Sequence, residues 1–434
     1  MKNIKKVFIC LLMASVIFTG CTANNNAAVH LVSVKNVKEL RAPVYGEQSA
    51  FATVVSKGAN EFAFQLSAAL SERARDNNFI CSPYSVWLPL AALVNAADEA
   101  SKPLLLEALG AAGIGEEDIN LAASRMLFDL TNQRDRQDMG EGYHNPLRIA
   151  NIIFADNQVK IKKDFAQTFM DYYRGSVMNV DFDSPKAVDT VNRWASDNTD
   201  GLIAEIVQKF DSSTVAAIAN AIYFSDRWQW EFNTDNTKED VFYSPAKESQ
   251  AYFMLREGNN QTYYEDDRVQ AMPLRFKTGG GMYIILPKDG DAAGLLASMT
   301  REYFDEIQKD AISATGKLLL PRFSVESDVM QLKDTLTALG VPLFDSEAAP
   351  LTGGLLENTM PVWLSGAVQK AAIKVDEKGT TAAAVTVMLA AGTAMPEPSE
   401  PFEMNCNRPF VFILYGDTYD GGSQILFTGM VNQP

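Results

Sequence analysis

An α+β fold, with helices in the first half of the chain and strands in the second, is what this sequence predicts. Three observations carry that expectation. Phe62, Leu66 and Leu70 recur every four residues, the spacing of one helix face. Six later runs are rich in β-branched and aromatic residues. The two kinds of segment do not alternate regularly, as a parallel α/β sheet would require. Taken in order, residues 77–97 (NNFICSPYSVWLPLAALVNAA) carry no charge and approach the length of a membrane span. Pro83, Pro89 and two serines interrupt them, so they are read as a helix buried in the core. RIANIIF (148–154) is a strand. Ser184-Pro185 is an N-cap followed by proline at the first helical position, with Val188, Val191 and Ala195 on one face. The strands VAAIANAIYF (215–224), MYIILP (282–287), KLLLPRFSVE (317–326), FVFILYG (410–416) and ILFTGMV (425–431) follow. Gly279-Gly280-Gly281 precedes a strand with no Gly-Lys-Ser/Thr after it, which makes it a tight turn and not a phosphate loop.

The 434 residues, 47% hydrophobic and 21% charged, describe a folded globular protein. No Pro/Gly/Ser-rich linker or repeat divides residues 51–434, so they form one domain. The formal charge of −16 is spread along the chain, which argues against nucleic acid as a partner.

Residues 1–20 have the organisation of an export signal. Lys2, Lys5 and Lys6 open it, an apolar run from Val7 to Phe18 follows, and Thr19-Gly20-Cys21 supplies small residues for cleavage. The Gly20-Cys21 step resembles the lipobox of bacterial lipoproteins, in which the cysteine becomes the lipid-bearing first residue. That resemblance implies an exported lipoprotein held by an acyl anchor in the bilayer, at the periplasmic face of the outer membrane or at the cell surface. Loss of the three lysines would take the charge from −16 to −19. Residues 21–50 show no period and are read as a tether. Cys81 and Cys406 then remain, each in an apolar setting that favours two buried free thiols, with a disulfide between them as the alternative.

No catalytic set is visible. The chain has two histidines, His30 in the tether and His144 in a turn-like Gly-Tyr-His-Asn-Pro. Neither position is suited to an imidazole fixed by a third group, and two isolated histidines build no typical zinc site. No metal or other cofactor and no enzymatic activity are expected.

The informative stretch is residues 376–398, DEKGTTAAAVTVMLAAGTAMPEP, where three charged residues lead into eighteen uncharged, mostly small ones. Glu377, Lys378, Gly379, Thr380, Thr381, Ala382, Ala383 and Ala384 resemble the hinge of inhibitory serpins. Further blocks match that family in order: Ser82-Pro83 with Ser85; Val191-Asn192 with Trp194; Asn220 to Phe224 with Trp228 and Phe232; Leu320-Pro321-Arg322-Phe323; Leu339-Gly340; Arg408-Pro409-Phe410; and Phe427-Thr428-Gly429.

The resemblance implies a serpin-like α+β fold around a large sheet, with an exposed reactive-centre loop at about 377–401. It implies a monomeric suicide substrate of serine proteases, whose cut loop inserts as an extra strand while the protease remains attached as an acyl-enzyme. The reactive bond falls at Thr393-Ala394, among small residues that suit elastase-like or subtilisin-like enzymes. Ser82, Ser85, Asn220 and Gln369 would be buried in the shutter beneath the point where the sheet opens, and Trp228 would lie in the breach. Thr380, Ala382, Ala384, Thr386, Met388 and Ala390 alternate and would share the inward face of the new strand, with Thr380 entering first. A non-inhibitory carrier or chaperone on the same fold is the alternative; charge or proline between Gly379 and Met395 would favour it, and neither occurs.

Overall fold

The computed structural model describes residues 47–131, 147–380 and 401–434, save 200, 202, 211–213, 215, 246, 358–359 and 419. Six described α-helices precede residue 200 and most strands follow it, the segregation expected of an α+β chain. The first helix, Glu47–Ser71, begins four residues before the expected domain start at Phe51 and buries Phe62, Leu66 and Leu70. Ser184 caps Pro185–Asn198, its side chain accepting from the Lys186 amide.

The charge-free run 77–97 is a strand and a helix, not one helix. Phe79–Cys81 pairs antiparallel with Ser423–Val431, and Pro83 then opens the helix Pro83–Leu93, all of whose residues are buried. Proline at the first helical position costs no hydrogen bond, and the extended residue before it ends the strand. Among the described residues no helix is long and apolar enough to cross a membrane.

The largest sheet runs Phe79–Cys81, Ser423–Val431, Phe410–Asp417, Gly281–Pro287, Val269–Arg275, Glu248–Glu265, Ile312–Pro321 and Phe402–Asn405, with Lys238–Tyr243 paired to Glu248–Glu265. The expected single strand 317–326 is divided at Arg322: Ile312–Pro321 stays in this sheet and Phe323–Glu326 joins another. Glu248–Glu265 carries no long apolar run because its middle is solvent-exposed and polar, with a register shift between Gly258 and Gln261. The glycine triplet does form the turn before Gly281–Pro287. Gly280 has φ +67°, and a Cβ there would lie 2.2 Å from the Tyr415 carbonyl oxygen.

Two three-stranded sheets position the site. One has the order Gly175–Val180, Leu147–Asp156, Ala216–Phe224; the other Phe323–Glu326, Ala372–Asp376, Gly379–Thr380. The helix Pro185–Asn198 covers the first through Val191 and Ala195, packed with Ile152, Phe154, Ile206 and Ala219. Cys81 and Cys406 are free and buried, and burial pushes the Cys81 thiol up to about 11, so both are inert.

Candidate functional site

The two sheet edges are joined at two places, each through a residue just outside the three-stranded sheets, Ala367 or Arg227. At one end Ile218 bridges Ala367 in parallel; at the other Gly379 pairs with both Asp376 and Arg227. Between them no ladder joins Ala216–Phe224 to Ala372–Asp376 among the described residues. The result is a slot that is one strand wide at its head, where Gly379–Thr380 already sits, and closed at its foot by the Ile218–Ala367 bridge.

The sequence explains how the head is filled. Glu377-Lys378 turns the chain back on Ala372–Asp376, so Gly379 and Thr380 run antiparallel to the strand they have just left. Gly379 has φ +150°, and a Cβ there would come within 2.1 Å of the Asp226 carbonyl oxygen, so only glycine fits. Thr380 is 0% exposed. Its amide donates to the Asp226 carbonyl at 2.9 Å and its hydroxyl accepts from the Asp226 amide at 3.1 Å. The expectation of an exposed loop from 377 is therefore corrected: Glu377, Gly379 and Thr380 are buried in the sheet, and Thr380, expected to enter first, has already entered.

Trp228 holds this turn from below. It is fully buried and stacked on Phe276 at 4.7 Å; its indole donates to the Asp376 carbonyl at 2.9 Å and its amide to the Lys378 carbonyl at 2.8 Å. Glu377 is clamped by Arg322, whose Nε lies 2.9 and 3.0 Å from the two carboxylate oxygens and whose Nη2 lies 2.6 Å from one of them. Thr237 donates a further bond at 2.6 Å. Burial by itself would raise the Glu377 carboxyl, but the bonds from Arg322 and Thr237 hold it below its ordinary value. The turn thus keeps a charged, paired carboxylate at neutral pH. Arg322, Asp226, Thr237 and Phe276 received no role from the sequence; Arg322 lay inside a recognised block, while the others carry no sequence signal because only the turn brings them together.

Beneath the slot, Ser82, Ser85 and Gln369 are buried and bonded to one another. The Gln369 carbonyl accepts from the Ser82 amide at 3.0 Å, and its amide group donates to the Ser82 carbonyl and the Ser85 hydroxyl, each at 2.7 Å. Ser82 Oγ donates to the Leu426 carbonyl at 2.7 Å. The slot wall at Gln369 is thereby tied to the start of helix Pro83–Leu93. Asn220 departs from expectation, being only part-buried and outside this cluster. It donates to Asn151 Oδ1 at 2.6 Å, and its own Oδ1 has no partner among the described residues. The physical reason is the unfilled slot: Asn220 and Gln369 stand on opposite walls, and a cavity of about 30 Å³ borders Ser85, Asn220 and Gln369.

Thr381, Ala382, Ala383, Ala384, Thr393, Ala394, Cys21, His30 and His144 lie outside the described residues. Among the described residues there is no group of three or more His, Cys, Asp or Glu that could hold a metal ion. Chemically, the arrangement is a seam with one strand's worth of unused backbone pairing, and the chain leading into it is already seated at the head.

The comparisons agree with this architecture. The family model described as "Serpin (serine protease inhibitor)" matches residues 57–434. A plasma serine protease inhibitor of Bos taurus is 27% identical over 388 residues, covering 88% of this chain and 92% of its own. Among solved structures, the thermophilic serpin tengpin in its native state superposes with a TM-score of 0.77 at 24% identity, covering 94% of this chain and all of its own. Human thyroxine-binding globulin superposes with a TM-score of 0.75 at 22% identity, covering 88% of this chain and 99% of its own.

Proposed function

The chain belongs to the serpin family of serine protease inhibitors, and from that premise we propose that it inhibits as a suicide substrate. One observation carries the reading: Gly379 and Thr380 occupy the head of a slot between two sheet edges, and the residues that follow, 381–394, are uncharged and mostly small. In this reading the protease serine attacks the Thr393 carbonyl carbon, the Thr393–Ala394 bond breaks, and the new amine of Ala394 leaves with the proton. The acyl-linked end then extends the Gly379–Thr380 pairing down the slot. Backbone groups of both walls gain partners, and that gain is the driving free energy. No cofactor is needed.

Small residues from Ala390 to Ala394 suit elastase-like or subtilisin-like enzymes, whereas trypsin-like enzymes want Arg or Lys in a charged pocket. Incubation with a panel of all three types is the test. An elastase-like or subtilisin-like enzyme is expected to give a covalent complex that survives denaturation, with release of residues 394–434. Cleavage without complex would favour the carrier reading, on the same fold as thyroxine-binding globulin.

For localisation we propose an exported, monomeric lipoprotein tethered through Cys21. Mature protein is expected to carry lipid on Cys21 and partition with membranes, and Cys21→Ala should remove both. Unchanged membrane partitioning in that variant would end the anchor proposal.

A further inference from the structure

Asp226 is a carboxylate only 2% exposed, and its side chain has no part in the mechanism above. It opens the segment 226–229, which is held along both edges. On one edge the Lys277 amide donates to the Arg227 carbonyl and the Gln229 amide to the Arg275 carbonyl, at 2.9 and 2.8 Å. On the other edge lies the hinge. There the Trp228 amide donates to the Lys378 carbonyl at 2.8 Å, and the Thr380 amide to the Asp226 carbonyl at 2.9 Å.

The Asp226 side chain closes this joint. One carboxylate oxygen accepts from the Arg227 amide at 2.7 Å, and the other accepts from the Thr278 amide at 3.2 Å and from the Thr278 hydroxyl. These bonds orient the Asp226 backbone, whose carbonyl takes the Thr380 amide and whose own amide reaches the Thr380 hydroxyl. Thr278 is anchored in turn. It precedes the glycine turn, where the Gly280 amide donates to Asp417 Oδ2 at 2.9 Å, and Arg275 holds both Asp417 oxygens at 3.2 and 2.9 Å. The hinge seat is thus tied by one side chain to the large sheet.

We propose that Asp226, acting through Thr278, is a positioning residue that keeps the hinge seated before the loop is cut. The inference rests on the strand-insertion reading and names the residue pair that primes it. Bringing a free strand end to a sheet costs chain entropy before any pairing offsets it. With Gly379 and Thr380 already in register, that cost is met before the protease attacks. Insertion then starts from a formed pair and gains on deacylation.

Full-length wild type, Asp226→Ala, Thr278→Val, Thr278→Ser and the Asp226→Ala/Thr278→Val double variant test this. Amide hydrogen exchange is read on the uncut protein, and the fraction cleaved without complex is read with the enzyme that wild type traps. Asp226→Ala removes the acceptor, whereas Thr278→Val removes only a hydroxyl at nearly constant shape. In both, exchange at the Thr380 and Trp228 amides is expected to quicken about tenfold, while the ladder between Phe410–Asp417 and Ser423–Val431 keeps its rates. The substrate fraction should rise about tenfold, equal to about 1.4 kcal/mol of barrier difference, and by more than the total rate of loop cleavage changes. Thr278→Ser should restore both readouts. The double variant should match Asp226→Ala, because the two side chains act through one contact. Wild-type exchange at Thr380 in Asp226→Ala, or faster exchange spread equally over the control ladder, would overturn the proposal. So would an unchanged substrate fraction in a variant whose hinge amides exchange faster. A wild type that forms no complex with any enzyme of the panel would instead overturn the insertion reading, and the exchange pattern would still decide whether Asp226 holds the hinge.

Discussion

Thr380→Arg is expected to abolish the denaturation-resistant protease complex while leaving the loop cleavable at the same bond. Trapping about ninety-nine molecules in a hundred requires insertion to outrun deacylation about a hundredfold, a barrier difference of roughly 2.7 kcal/mol. Thr380 is 0% exposed, and both its amide and its hydroxyl are bonded to the Asp226 backbone. An arginine side chain has no room at a position 0% exposed, and the Asp226 carboxylate beside it already accepts from the Arg227 amide and from Thr278. Overpacking together with the burial of a charge costs several kcal/mol, more than the margin. The Arg322–Glu377 clamp and Trp228 remain, so the fold should persist with only the hinge displaced. Denaturing gels should show cleaved inhibitor and free, active protease. Thr380→Ser keeps the hydroxyl and should keep the complex. Wild-type complex formation by Thr380→Arg would remove strand insertion as the mechanism and favour a carrier role.

Gln369→Ala is expected to destabilise the uncut protein far more than Asn220→Ala. Truncating Gln369 breaks three buried hydrogen bonds to Ser82 and Ser85 and leaves the Ser82 amide without its partner. At about 1–3 kcal/mol for an orphaned buried group, plus the lost bonds, the sum is about 3–5 kcal/mol. Asn220→Ala loses one bond and leaves the buried Asn151 Oδ1 without that donor, but it also removes an oxygen that had no partner among the described residues, so about 1–2 kcal/mol is expected. Because Gln369 ties one slot wall to helix Pro83–Leu93, its loss should also let the seam open early. A thermal midpoint lower by roughly 5–10 °C and polymers on native gels after mild heating are the expected readouts. Equal midpoints for the two variants would show that the Gln369 cluster does not hold the seam.

Much of this was legible in the sequence. Helix faces, the Ser184-Pro185 start and the apolar strands follow from side-chain period and backbone chemistry, which are local properties. The segment Glu377 to Ala384 stood out through its resemblance to the hinge of inhibitory serpins, and the small uncharged residues from Gly379 onward are what the proposed insertion requires.

Other features belonged to tertiary structure alone. That Gly379 and Thr380 are seated already depends on Asp226, Trp228 and Arg322 meeting across more than fifty residues of chain, and no local pattern encodes such a meeting. The same holds for Asn220, whose type and neighbourhood resembled a shutter residue while the unfilled slot kept it away from Gln369. Residues 77–97 divide into strand and helix because Phe79–Cys81 finds an edge on Ser423–Val431, a partner supplied by the far end of the chain. Period and composition determined which segments could be helix or strand. Which edges meet, and therefore where the slot begins and ends, was decided only by packing, since edge pairing is a contest among distant partners that the local sequence does not record.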